Sequence, residues 1–381
     1  MSDLRGNVVV ADAGASWIRS LFEAVASHRR VGLLTLHSAG RWLRQPPWRW
    51  PLPTPWQSVH STIVSQAELW QREAPVPGWT RGRSISTRAL IRGVRSAVSA
   101  FKADTAVFTL PFFVDAAEAL SDLRRIYFAF DPYQYYGWPV ERTLEQQRRM
   151  LKTCDAIFAV SRLLADDFRQ QTERPVFYLP NAVSESFVQA MGDRVLPPPS
   201  DIAAIPHPIV GCTGQINSHY DWQWIGSLAG GATDVSFVFI GSVASEGSGM
   251  QQEMHRVLDA YPNIYLLGAR PHDKLPAYLS NFDVCLNPLK VNDLNNRRSP
   301  LRLYDYLANA RPILSTPIRE AYEHGGLITI ASDQADPVQM LRQMLANNSA
   351  IDLERRQEYI RRNTWGNRAQ EFIAALDQVP S

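Results

Sequence analysis

Two stretches of this 381-residue chain bring together side chains able to take up a proton and to hold an anion. The first, from Ile126 to Trp138, reads IYFAFDPYQYYGW. Asp131 closes an apolar run just before Pro132, where a buried parallel strand hands over to a ligand-bearing loop. Aromatic neighbours strip water from a carboxylate and raise its pKa, which suits a general base acting on a hydroxyl. Tyr133, Tyr135, Tyr136 and Trp138 offer faces on which saccharide rings can stack; a plain turn-capping role for Asp131 is the competing reading. The second stretch, from Asn295 to Pro317, reads NNRRSPLRLYDYLANARPILSTP. Ser299 suits a helix N-cap and Pro300 the first helical position, with Leu301, Tyr304, Leu307 and Ala308 as the core-facing stripe. The N–H groups of Leu301 and Arg302 then face an anion, and the Arg302 guanidinium adds a permanent charge that can neutralise a leaving diphosphate. Asp305, three residues on, can accept hydrogen bonds from ribose hydroxyls. An ordinary capped helix with an Arg302–Asp305 surface pair is the alternative.

Such residues need a rigid frame. Short β-branched or apolar runs alternate with helical stretches along the whole chain, the pattern of βαβ units and parallel sheets. The first half predicts strands at Asn7–Ala11, Val31–Thr35, Ala106–Leu110, Arg125–Phe130, Ala156–Val160 and Val176–Leu179. The second predicts Ile209–Cys212, Ser236–Ile240, Ile264–Leu267, Val284–Asn287, Pro312–Ser315 and Leu327–Ile330. Helical stretches fill the intervals, with Ser161 as an N-cap directly after a strand. Arg41–Arg83, rich in Pro and Trp, reads as a long connection, and Val195–Pro208, with three consecutive prolines, as a linker. The length suits two α/β domains of doubly wound, Rossmann-like parallel sheets whose strand C-termini face one cleft.

The run Pro300–Pro312 is similar, almost continuously, to the donor-binding signature of retaining glycosyltransferase family four. CDAIFAVS (Cys154–Ser161), LPNAVSESF (Leu179–Phe187), VGCTGQI (Val210–Ile216), FVFIG (Phe237–Gly241) and NTWGNRAQEF (Asn363–Phe372) resemble further landmarks of that family, in its order. The resemblance implies a GT-B fold: an acceptor domain over 1–195, a nucleotide-sugar domain over 196–362, and a final helix, 363–381, crossing back to the first. It implies donor contacts from the glycine loop at Gly14, from Gly214 and Asn217, and from Arg270 near the base. The family's paired acids would fall at Arg297 and Asp305, so Arg297 stands where a carboxylate is usual and suits an acidic sugar or the phosphates. Phe130 occupies a position where a histidine is common. There the pattern resembles the inverting xanthan-type glucuronosyltransferases, in which an aspartate at this strand end is the base. The implied activity is hexosyl or uronosyl transfer from a UDP- or GDP-linked sugar to a saccharide or lipid-linked acceptor. A non-catalytic carbohydrate-binding or scaffolding subunit and a nucleotide-sugar epimerase are the alternatives.

Other classes find little support. Ala11–Ala15 lacks the G-x-G-x-x-G of a dinucleotide site, and there is no Walker A, DxD, HExxH or Cys/His cluster, so neither cofactor nor metal is expected. The net charge of +2 hides an asymmetry: residues 1–102 hold 14 basic and 5 acidic residues, and the rest 25 and 32. The basic part also holds Trp42, Trp48, Trp50, Trp56, Trp70 and Trp79. Arginine and indole together suit an anionic membrane surface, and no nucleic-acid motif accompanies them. Without a signal-like start or a spanning apolar run, and with three scattered cysteines expected to be buried thiols, the chain reads as cytoplasmic, peripheral on the inner membrane face.

Overall fold

The computed structural model describes residues 6–38, 57–58, 69–76, 84–192, 196–244, 248–309, 311–331, 335–347 and 353–380. The chain divides into two compact units. Met1–Ser184, Arg297–Ser299 and Trp365–Ser381 form the first; Glu185–Asn296 and Pro300–Thr364 form the second.

The first unit is built on an eight-stranded sheet. Its strands are β1 (Asn7–Ala11), β2 (Arg30–Ser38), β3 (Gln57–Ser58), β4 (Leu69–Val76), β5 (Thr105–Phe108), β6 (Arg124–Ala129), β7 (Ala156–Ala159) and β8 (Val176–Tyr178). They lie in the order β3-β4-β2-β1-β5-β6-β7-β8, parallel except for β3 against β4. Val8–Ala11, Thr105–Phe108 and Ala156–Ala159 are buried throughout, as strands covered on both faces must be, so they read as unbroken apolar runs. The order reverses at β1, which pairs with both β2 and β5.

The strand β4 falls within the segment read from sequence as a connection. LWQREAPV carries two charges and a proline, so no apolar pattern marks it. It pairs with β2 along its full length, and beyond it, among the described residues, lies the two-residue β3. Such outer positions tolerate polar residues and proline. Of the six tryptophans named above, Trp70 is half-buried beside the Arg30 guanidinium at 5.8 Å. Trp42, Trp48, Trp50, Trp56 and Trp79 lie outside the described residues. No helix among the described residues is long and apolar enough to cross a membrane. Cys154, Cys212 and Cys285 are all buried free thiols.

The last helix, Trp365–Leu376, belongs to the first unit. Its Phe372 meets Phe22 edge-on at 5.4 Å and Phe158 at 4.9 Å, closing the core beneath the sheet.

The second unit carries a six-stranded, wholly parallel sheet of β9 (Ile209–Thr213), β10 (Ser236–Ile240), β11 (Ile264–Leu266), β12 (Val284–Asn287), β13 (Ile313–Ser315) and β14 (Thr329–Ile330). The order β11-β10-β9-β12-β13-β14 is that of a dinucleotide-type Rossmann sheet, with its switch point at β9 and β12. This unit begins at Glu185, eleven residues before the expected boundary at 196, because Phe187 of helix Glu185–Met191 is buried here, stacked on His272 at 4.9 Å. The proline run is no free linker: Ile202 and Ile205 are buried and the Leu196 carbonyl accepts from Asn281 Nδ2 at 3.1 Å.

Candidate active site

In the second unit the site grows from the end of β9. Thr213 N–H donates to the Tyr306 hydroxyl at 2.7 Å, which docks helix Leu301–Leu307 against the strand end. Arg302 lies one turn before Tyr306 and so shares its face. Its guanidinium sits 4.9 Å from the centre of the Tyr220 ring, and Nη1 donates to Cys212 Sγ at 3.2 Å. Gly214 makes room for it. With φ at +109° this backbone favours glycine, and a Cβ there would stand 3.0 Å from Arg302 Nη2. No carboxylate pairs with Arg302 among the described residues, so the expected alternative of an Arg302–Asp305 surface pair does not form. Asn217, on the loop that follows, turns its Oδ1 onto the His219 N–H at 3.1 Å.

The start of that helix differs from expectation. Pro300, not Ser299, is the N-cap, and no side chain caps the first turn; Leu301 is the first helical residue. Ser299 is drawn into the first unit instead, where Asn181 Nδ2 donates to its carbonyl at 2.6 Å and the Asn181 N–H to its Oγ at 3.4 Å. A hydroxyl already accepting from a distant residue is lost to local capping. Asp305 is buried and presents Oδ2 to His272 Nε2 at 3.1 Å. That hydrogen bond raises the His272 pKa, against burial, which lowers it. Arg270 is fully engaged elsewhere: Nη2 meets Asp201 at 2.5 Å and Nε donates to the Tyr278 hydroxyl at 2.9 Å.

In the first unit three neighbouring strand ends grip the tripeptide Arg297–Ser299. After β7, Ser161 caps helix Arg162–Arg169 by accepting from the Leu164 N–H, and its Oγ donates to the Arg297 carbonyl at 2.9 Å. Arg297 Nε donates to Asp167 Oδ2 at 2.6 Å, so the side chain expected near a sugar or phosphate is held in an ion pair. After β8 comes Asn181, on Ser299. After β6 comes Asp131, whose Oδ1 accepts from Arg298 Nε at 2.9 Å. Burial raises the Asp131 pKa, while the Arg298 charge and hydrogen bonds from Tyr136 and Arg298 pull it down without cancelling the rise. The carboxylate is therefore oriented by two donors yet more basic than a solvated aspartate.

The aromatic surround divides. Tyr133 is buried and donates its hydroxyl to the Thr109 carbonyl at 2.6 Å, so it is a strut and not an open stacking face. Trp138 packs edge-on against Phe112 at 4.6 Å and stacks on Tyr133 at 5.9 Å. Tyr136 bonds Asp131 and lies under the Arg298 guanidinium at 5.9 Å. Tyr135 is the exposed ring of the group. Gly14 is exposed after β1, but the left-handed residue of that turn is Asp12, at φ +65°. A Cβ on Gly14 would touch only Asp12 Oδ1, at 3.4 Å, and Thr35, at 3.9 Å. The structure thus brings together Gly214 with Arg302 in one unit and Asp131 with Tyr136 in the other. Arg270 and Asp305 have partners of their own. Sequence reasoning passed over Arg298, whose only mark was a place beside Arg297.

Residues 223–374 match the family model described as glycosyl transferase-like. Solved structures match over nearly the whole chain. Sucrose-phosphate synthase from Thermosynechococcus elongatus aligns with a TM-score of 0.73 at 13% identity, over 98% of this chain and 99% of that one. This is the GT-B glycosyltransferase fold. An alpha,alpha-trehalose-phosphate synthase (UDP-forming) from Burkholderia vietnamiensis shares the GT-B architecture at TM-score 0.68 and 14% identity, over 98% and 99% of the two chains. So does Anabaena HepE in complex with UDP and glucose, at 0.67 and 12%, with the same coverage. Among curated sequences, the putative teichuronic acid biosynthesis glycosyltransferase TuaH of Bacillus subtilis (strain 168) is 28% identical over 108 residues. That match spans 28% of this chain and 26% of TuaH, about a quarter of that relative's length.

Proposed function

We propose that this GT-B chain is a glycosyltransferase that moves a hexosyl or uronosyl group from a UDP- or GDP-linked sugar to a hydroxyl of a saccharide or lipid-linked acceptor. The observation that carries the proposal is Arg302: a half-buried guanidinium at the switch point of a Rossmann sheet, with no carboxylate partner among the described residues. An uncompensated charge in such a place is costly, and an anionic ligand removes the cost. A diphosphate supplies that anion, and Gly214 leaves room for it to approach.

In the proposed reaction the second unit binds the nucleoside diphosphate-sugar, with Arg302 on the diphosphate. In the first unit Asp131 takes the proton from the acceptor hydroxyl. The freed oxygen bonds the anomeric carbon as the bond from that carbon to the phosphate oxygen breaks. The nucleoside diphosphate leaves with the electron pair, and Arg302 meets its growing charge. Arginine can fill this role without a metal, so transfer is expected to persist in EDTA. Tyr135 is the ring best placed to receive an acceptor. The match to TuaH favours polysaccharide or glycoconjugate synthesis as the setting, and a nucleotide-sugar donor favours the cytoplasmic side of the membrane.

The test is turnover of a panel of UDP- and GDP-sugars with membrane and saccharide extracts as acceptors, with and without EDTA. Release of UDP or GDP that depends on acceptor and survives EDTA is the expected result. Tight donor binding with no turnover under any condition would instead favour a non-catalytic carbohydrate-binding or scaffolding subunit.

A further inference from the structure

The charge of Arg302 is held by neutral groups alone. Beneath it lies the Tyr220 ring, itself fully buried, stacked on Trp222 at 6.1 Å and tilted against Phe239 at 6.2 Å. Beside it, Cys212 Sγ accepts from Nη1. The Tyr220 hydroxyl ties the group together, lying 3.5 Å from Cys212 Sγ and 3.5 Å from the Gly214 carbonyl oxygen. The contrast with other arginines is direct: Arg298 lies on Asp131, Arg297 on Asp167 and Arg270 on Asp201. A carboxylate would fix the guanidinium and also cancel its charge. An aromatic face and a thiol fix it and leave the charge available.

We infer that Tyr220 and Cys212 are positioning residues that hold the Arg302 charge ready for a diphosphate, an inference that rests on the donor assignment above. Neither touches the donor. Together they set the guanidinium at the end of β9, where Gly214 gives it space, so that no rearrangement is needed when the ligand arrives.

The experiment is a double-mutant cycle read by calorimetric titration of UDP and GDP, with uridine and guanosine as phosphate-free controls. Tyr220→Leu should weaken diphosphate binding by roughly 3- to 30-fold, the range of a partly desolvated cation–π contact. Tyr220→Phe, which keeps the ring, should recover most of that loss, and nucleoside binding should not change. In an Arg302→Ala background, Tyr220→Leu and Cys212→Ala should have no further effect. Equal losses with and without Arg302 would overturn the inference. If Tyr220→Leu does not fold, Cys212→Ala, a small truncation, runs the same cycle. A crystal structure of the ligand-free Tyr220→Leu or Cys212→Ala protein gives a second test that needs no ligand. A displaced guanidinium supports positioning, and an unmoved one overturns it. Failure of the wild-type protein to bind either nucleotide would instead strike the donor assignment.

Discussion

Arg298 Nε donates to the Asp131 carboxylate at 2.9 Å, across 167 residues of sequence. Burial makes Asp131 more basic, and Arg298 keeps part of that gain in check. The pair therefore sets both the aim and the strength of the proposed base.

Two substitutions separate these effects. Asp131→Asn retains an acceptor for Arg298 and should fold, yet turnover should drop on the order of 10²–10⁴-fold with UDP or GDP binding unchanged. Activity that survives would place the base elsewhere. Arg298→Gln removes a charge that lowers the Asp131 pKa, so the acid limb of the kcat/KM profile should move to higher pH. Arg298→Lys should bring it part of the way back.

Arg302→Ala tests the diphosphate assignment. Loss of a charge-assisted contact should weaken UDP or GDP binding by about 10- to 100-fold and leave uridine and guanosine unaffected. Titration calorimetry decides the point, and equal affinities for wild type and variant would refute it.

Gly214→Ala meets two obstacles at once, a left-handed backbone and a guanidinium 3.0 Å from the new Cβ. The strain should cost about 1–3 kcal/mol in denaturant unfolding. Diphosphate affinity should fall as well, because Arg302 must shift. A variant equally stable and equally tight would mean that the loop has slack it does not show.

His272 gives a pH signature. Its pKa is raised by the hydrogen bond to Asp305, so the pair stabilises the fold fully below the ordinary histidine value of about 6.5 and loses that contribution as pH climbs through the raised value. His272 stays well exposed, so the effect should be small. Melting temperatures of wild type and His272→Gln, measured from acid to alkaline pH, should differ most at low pH and converge above neutrality. A gap constant with pH would rule the pair out as its source.

These residues also show what a sequence can disclose. Strands such as Ala156–Ala159 and Ser236–Ile240 are buried on both faces, so their apolar runs stand out, and Asp131 and Arg302 are marked by the strand end and the short helix that carry them. The strand Leu69–Val76 lies toward the sheet's margin and carries two charges and a proline, so no apolar run marks it. Ser299 looks like a helix cap until Asn181, 118 residues earlier, claims it. The same holds for Arg298: its partner follows from the arrangement of strand ends, and no local spacing reports it. Local chemistry is legible; pairing over distance belongs to the fold.

The position of Phe372 against Phe22 and Phe158 has a consequence for biogenesis. Residues that help seal the core of the first unit are translated after the second unit, so the first unit keeps that apolar surface uncovered until the second unit has emerged. A stalled or shortened nascent chain would keep this surface open, a natural target for a holding chaperone.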